Sequence, residues 1–303
     1  MKLGADPEFF VMDENNSFIN GAKVINATKN KPLQLSSNTS VFYDNVLLEL
    51  NIEPANNIEE FVLRCSSGLH QIRHKLVEKR LSLHAYAEFE ASQLKDKNAK
   101  EYGCVTDMNA YTLTENDLPI DLIKNTTYRT AGGHLHIGGS QGDAVINPVL
   151  KPLFVFMLDL FVGIPGVLID NSAESFRRRT YFGRAGSYRD KEYGLEYRVL
   201  SPFWLRNEST MGLFYLLTEF VFHEMNENIY NKFYHFDVEK LRSNSPETAY
   251  CCYGYDVQNL TKAINTNNYS LARKYFNFAT NFMPNRLIQL VEAEISNPRN
   301  LVF

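Results

Sequence analysis

Four short segments of the chain repeat one pattern that few folds can use: ionisable or polar residues two apart, with apolar residues between them. They are Asp6 and Glu8 in GADPEFF, Glu49, Asn51 and Glu53 in LLELNIEP, His134 and His136 in GGHLHIGG, and Glu196 and Arg198 in GLEYRVLSPFW. Residues i and i+2 of a strand point to the same face. Each segment therefore predicts a strand with one ionisable face, while Leu50, Ile52, Leu135, Tyr197 and Val199 turn towards a core. If the four strands share one sheet, that face carries up to five carboxylates, two imidazoles and a guanidinium. Such a surface repels itself unless its carboxylates pair, protonate or coordinate a metal. Oxygen-rich ligands that also hold a nucleotide's phosphates suit Mg2+, and Mn2+ fits the same set.

Taken singly, each pair has an ordinary explanation. Asp-Pro-Glu is commonly a turn, a lone acid on an alternating strand commonly faces solvent, and two imidazoles on one strand face also serve zinc sites. The glycines on both sides of the histidines, Gly132-Gly133 and Gly138-Gly139, favour function, because they let a ligand or another backbone approach closely.

Residues 175–191 read SFRRRTYFGRAGSYRDK and crowd Arg177, Arg178, Arg179, Arg184, Arg189 and Lys191 into one stretch, broken by Gly183 and Gly186. A solvated basic loop or an RNA-contacting patch would look the same. A phosphate clamp explains more: the guanidinium fork pairs bidentately with phosphate oxygens, and a triphosphate needs positive charge beyond its metals. The chain has no GxxxxGK[ST] and no GxGxxG followed by a suitably placed acid, which excludes P-loop and Rossmann nucleotide sites.

With 303 residues, 44% of them hydrophobic, the chain can bury a large core. A net charge of −4 without a basic tail argues against nucleic-acid binding by charge alone. The N-terminus lacks an apolar signal, so Cys65, Cys104, Cys251 and Cys252 read as reduced thiols of a cytoplasmic protein, and the sequon at Asn125 as chance. Residues 149–169 form the longest apolar stretch, but Lys151, Pro152, Asp159 and Pro165 within it favour a buried helix over a membrane span. Residues 1–205 alternate strands (46–54, 81–90, 133–137, 195–200) with helices (58–79 and the apolar stretch). From about residue 208 the pattern is helical (209–233, 269–282, 285–295), with Phe214, Phe220, Phe222 and Tyr230 as core. The expected class is α+β.

GADPEFF, LLELNIEPA, GGHLHIGG and RRRTYFGRAGSYRDKEYGLEYRVLSPFW, in that order, resemble the phage-type COOH–NH2 ligases (type 2) of the glutamine synthetase/glutamate–cysteine ligase superfamily, over roughly residues 1–205. The resemblance implies a single catalytic domain, residues 1–303, built on a curved, mostly antiparallel sheet that holds ATP and divalent metals. It implies ATP- and Mg2+-dependent joining of a small-molecule or peptide carboxylate to an amine through an acyl phosphate, in a host cytoplasm. Nucleic acid would enter only as a modified-base substrate, no membrane is involved, and aromatic helices leave room for a homo-oligomer. Carried over, Glu8, Glu49, His134, His136 and Glu196 would bind metal, with Asp6 and Glu53 as further candidates. His136, Arg178, Arg179, Arg184, Arg189 and Arg198 would contact the nucleotide, and Glu8, Glu49, Glu196 and Arg198 form the catalytic set. Asp6, Glu53 and Asp190 are candidates for the general base. Where the family pattern carries Asp-Gly before the second acidic strand, this chain has Asp44-Asn45. Three other readings stay open on these residues: a phosphotransferase on the same fold, a zinc hydrolase using His134 and His136, and a binding protein without activity.

Overall fold

The computed structural model describes residues 1–100, 107–117, 126–227, 257–297 and 302. Cys104, Cys251, Cys252, Asn125, Tyr230 and the end of the helix expected to reach residue 233 lie outside the described residues.

The architecture is α+β, as the sequence patterning implies. Strands β1 (Lys2–Met12), β2 (Phe18–Ile19), β3 (Leu33–Gln34), β4 (Thr39–Asp44), β5 (Leu47–Ala55), β6 (Arg80–Ser82), β8 (Met108–Asn109), β10 (Gly133–Gly138), β11 (Ser187–Lys191) and β12 (Gly194–Tyr197) form one sheet. Its order is β3-β4-β5-β1-β10-β12-β11-β8, with β2 and β6 both paired to the C-terminal end of β1. Every described pairing in it is antiparallel. A separate two-stranded ribbon joins β7 (Tyr86–Glu88) to β9 (Tyr128–Thr130). The four strands with polar pairs are therefore consecutive neighbours, β5-β1-β10-β12.

The helices are α1 (Ile58–Lys75), α2 (Lys151–Ile169), α3 (Ala173–Arg178), α4 (Glu208–Asn226), α5 (Val257–Asn265), α6 (Tyr269–Ala279) and α7 (Asn285–Ser296). Three begin at an asparagine whose side chain takes up an orphan amide. Asn57, Asn207 and Asn268 accept from the N–H groups of Glu60, Thr210 and Leu271 at 2.8, 2.8 and 3.0 Å. Among the described residues α2 is the one helix long and apolar enough to cross a membrane, and it is wholly buried in the core. Its middle, Asp159–Gly163, is a π-helical turn.

The core lies on the face of the sheet opposite the polar pairs. Leu48, Leu50, Leu135, Ile137, Leu195, Tyr197 and Val199 are all fully buried there, in one cluster with residues of α1, α2 and the C-terminal helices. Trp204 is its largest member: it stacks on Phe61 at 5.8 Å and donates its indole N–H to the carbonyl of Gly133 at 3.1 Å.

Three expectations shift. The alternation over 81–90 yields two strands, not one, because β6 pairs with β1 and β7 with β9. The helix expected over 58–79 stops at Lys75, where the N–H of Leu76 caps it and Glu78 turns to a left-handed φ of 59°. In the β4–β5 turn, Asn45 has a φ of 55°, the left-handed region that glycine adopts freely and asparagine tolerates.

Replacing Trp204 by Ala is expected to cost about 3–5 kcal/mol of folding free energy, from lost burial and a residual cavity. Equilibrium urea unfolding measures it.

Candidate active site

The pairing registers bring the predicted residues together. Glu8 lies opposite Glu49, Asp6 opposite His134, His136 opposite Glu196, and Glu196 opposite Arg189. Glu49, His134, Glu196 and Arg198 are all buried. Among the described residues two groups offer metal-ligand atoms within 4.8 Å of one another: Asp6, His136 and Glu196, and Glu8, Asp44 and Glu49.

Asp6 is the hinge of the first group. Its Oδ1 lies 3.2 Å from His134 Nδ1 and 3.0 Å from His136 Nε2. Burial pushes this carboxyl up, yet His136 and His134 outweigh burial and hold it well below the usual carboxylate range. Asp6 Oδ1 and His136 Nε2 are nonetheless buried without an aligned hydrogen-bond partner. With a Glu196 oxygen beside them, these atoms lie close enough together to serve as ligand atoms for one cation.

Glu196 is ringed by cations. Lys191 Nζ lies 2.9 Å and Arg189 3.6 Å away, and Arg198 donates to it directly. Burial pushes its carboxyl up, but the Arg198 guanidinium, with His134 and His136, brings it down to about 2. Asp107 braces the arginines, with Arg198 Nε at 2.8 Å and Arg189 Nε at 3.3 Å.

The second group is electrostatically opposite. Burial pushes Glu49 well above its ordinary value, and Asp6 and Glu8 add to it; Asp44 is raised by burial and by Glu8. Glu8 is fixed by the N–H of Gly132, which donates to its Oε2 at 2.5 Å. Gly132 cannot carry a side chain, since a Cβ there would sit 2.1 Å from His134 Nε2. Gly133 likewise lets Ser201 and Trp204 approach. The glycines before the histidines thus make room for the His134 ring and for neighbouring backbone, and Gly132 also borders the small pocket described next.

Two openings flank the face. A small pocket of about 60 Å³ is bounded by Glu8, Asp44, Asp107, Tyr128, Arg178 and Arg198. A groove of about 840 Å³ on the other side is bounded by Lys2, Asn51, Gly138, Ser140, His136 and Tyr193. The Tyr193 hydroxyl bonds His136 Nδ1.

The arginine loop divides. Arg189 and Arg198 reach the ionisable face. Arg178 borders the small pocket but is held by carbonyls, donating to Val199 at 2.9 Å and Arg198 at 3.3 Å; burial and then Arg179 lower its pKa to about 9. Arg179 does not join the site. Its guanidinium is buried, bonds the Gly183 carbonyl at 3.2 Å, and sits in the field of Asp170, Tyr197 and Asp159 behind the sheet. Arg184 is exposed and folds back on the carbonyls of Arg179 and Thr180. Of the acids weighed as a general base, Asp190 is exposed and paired with Lys151, and Glu53 is exposed at the groove, outside both ligand groups.

Sequence reasoning missed Asp107, Asp44 as a member of the second group, and Tyr193. Asp107 precedes a two-residue strand with no periodicity to mark it, whereas Asp44 stood in the Asp44-Asn45 pair that departs from the family pattern.

One face of the sheet thus gathers two groups of candidate ligand atoms and the arginines Arg189 and Arg198. The chain belongs to the phage phiEco32-like COOH–NH2 ligase type 2 family, whose profile matches residues 123–286, more than half of its 303 residues. It is thus a member of a ligase family that joins a carboxylate to an amine. The match covers the histidine strand, the arginine loop and the Glu196/Arg198 strand, and it continues into the helical third, where no motif was legible. Asp6, Glu8 and Glu49 lie before it. No curated protein matches the chain.

Glu49 supplies a direct test of the electrostatics. With a raised folded pKa, its contribution to stability is full below its unfolded value, near 4.5, and is lost as pH rises through the folded value. In chelator-treated protein, Glu49→Gln is therefore expected to melt higher than wild type at pH 8, with the advantage vanishing towards pH 4.5. Thermal melts across that range measure it.

Proposed function

We propose that the ionisable face binds ATP with divalent cations, and that the enzyme activates its acid as an acyl phosphate before the amine attacks. The observation that carries this reading is the pairing of two distinct ligand groups on adjacent strands with arginines and a lysine at their edge.

Mg2+ or Mn2+ held by Asp6, His136 and Glu196, and by Glu8, Asp44 and Glu49, would neutralise phosphate charge and polarise the transferring group. Tyr193, 44% exposed at the wide groove, offers a face to the nucleotide base, and Lys2 and His136 line the way inward. Arg189 and Arg198, held in place by Asp107, meet the charge that builds on the phosphoryl oxygens. The small pocket admits the reacting end of the acid beside Arg198 and Glu8. One acid oxygen forms a bond to the γ-phosphorus as ADP leaves. The amine then forms the amide bond, inorganic phosphate leaves, and the amine loses a proton. The rigid antiparallel register supplies the alignment such a two-step transfer needs.

Hydroxylamine serves as a universal amine for the test. Purified enzyme with ATP, Mg2+ and a panel of carboxylic acids is expected to form a hydroxamate, ADP and phosphate in equal amounts. Glu8→Ala and Glu196→Ala should each lower the rate by about a thousandfold or more, in the range seen when transition-state charge stabilisation is removed. Near-wild-type ATP-dependent product from either variant, or zinc in the purified protein with no response to nucleotide, would overturn the assignment.

A further inference from the structure

Behind the sheet lies a buried carboxylate that the proposed chemistry does not use. Asp159 is fully buried in the middle of α2, at the first residue of its π turn. Three donors from three segments converge on it. The Tyr111 hydroxyl reaches Oδ2 at 2.9 Å, the Gly186 N–H reaches Oδ2 at 2.6 Å, and the Tyr197 hydroxyl reaches Oδ1 at 2.7 Å.

Each of those segments carries part of the charged face. Tyr111 follows β8, which Asp107 precedes. Gly186 precedes β11, which carries Arg189 and Lys191. Tyr197 sits between Glu196 and Arg198. Asp107, Arg189, Glu196 and Arg198 form one ion-paired set on the other side of the sheet. Asp159 is thus hydrogen-bonded at once to all three segments that present the set, through one backbone N–H and two tyrosine hydroxyls.

The local structure is shaped to allow this. Gly163, one π turn after Asp159, leaves space for the Tyr197 hydroxyl, which would lie 2.7 Å from a Cβ at that position. Gly186 has a φ of 78°, and a Cβ on it would meet the Tyr111 ring at 2.6 Å. Burial pushes the Asp159 carboxyl up to about 7, while its hydrogen bonds from Tyr197 and Tyr111 and the Arg179 charge act against the rise. A buried carboxylate costs stability unless its partners compensate. π turns inside α-helices are found frequently at functional sites.

We propose that Asp159 is a positioning residue for phosphoryl transfer, which sets from behind the sheet the mutual placement of Asp107, Arg189, Glu196 and Arg198. The functional half of this inference rests on the ATP-dependent reading above.

The test compares wild type with Asp159→Asn, Tyr111→Phe and Tyr197→Phe. Peptide-resolved hydrogen exchange follows residues 107–111 and 186–198 against β1 and β5 as internal reference, and the hydroxamate assay follows kcat and KM for ATP. Asp159→Asn is expected to speed exchange in those two segments and not in β1 or β5. It should lower kcat by about tenfold or more, with KM for ATP within about threefold, as expected when alignment rather than ground-state binding is lost. The two tyrosine variants, each removing one hydroxyl, should show smaller losses of the same kind, and they decide the matter if Asp159→Asn does not fold. Unchanged exchange in both segments would overturn the anchor. Faster exchange with unchanged kcat per folded enzyme would overturn the positioning role and leave a purely structural one. Wild type with no ATP-dependent product would refute the ligase chemistry proposed above and with it the positioning role, while the exchange data separately decide the anchor.

Discussion

The arrangement depends on one cross-strand contact, that of Asp6 on β1 with the two imidazoles of β10. A single carboxylate oxygen stands within about 3 Å of both His134 and His136, at the centre of a sheet where acids lie on either side. Antiparallel register puts Glu8 and Glu49 on one flank of that contact, and Glu196 with its cations on the other. Shifting β1 by one residue would turn all its acids into the apolar core and bring Leu3, Ala5 and Phe9 to the charged face. The core packing of β1 and the assembly of the site are therefore the same event.

The two flanks are balanced differently, and that asymmetry has chemical consequences. Around Glu196 the protein supplies its own positive charge from Lys191, Arg189 and Arg198, so the carboxylate is ionised and fixed. Around Glu49 the acids Asp6, Glu8 and Asp44 outnumber the one opposing cation, Lys29, and burial pushes its carboxyl well up. Binding of a metal–nucleotide, as proposed above, would bring positive charge to that flank. Behind the sheet, Asp159 gives the cationic flank a second layer of support.

Much of this was legible in the sequence, for a physical reason. Period-two patterning reports which residues share a face, so Asp6, Glu8, Glu49, His134, His136, Glu196 and Arg198 could be grouped before any strand was paired. That the four strands would be adjacent depends on long-range pairing, which no local pattern encodes, although the resemblance to a ligase family implied it. The arginine run was less transparent. Arg178 and Arg179 end a short helix and Arg184 follows the left-handed Gly183, so consecutive guanidinium groups point to different sides of the chain. Density of charge along the sequence did not translate into density at the site. Asp107 and Asp159 gave no signal, one from a segment without periodicity and the other hidden as a lone acid in an apolar helix, where it read only as evidence against a membrane span.

The most direct test of the central claim is the stoichiometry of Mn2+ binding by electron paramagnetic resonance, with and without a non-hydrolysable ATP analogue. Two ligand groups on one face predict about two tightly bound ions per chain in the ternary complex. Asp6→Asn and Glu49→Gln should each remove one of them. Nucleotide that binds without Mn2+, or Mn2+ occupancy indifferent to both substitutions, would contradict the account.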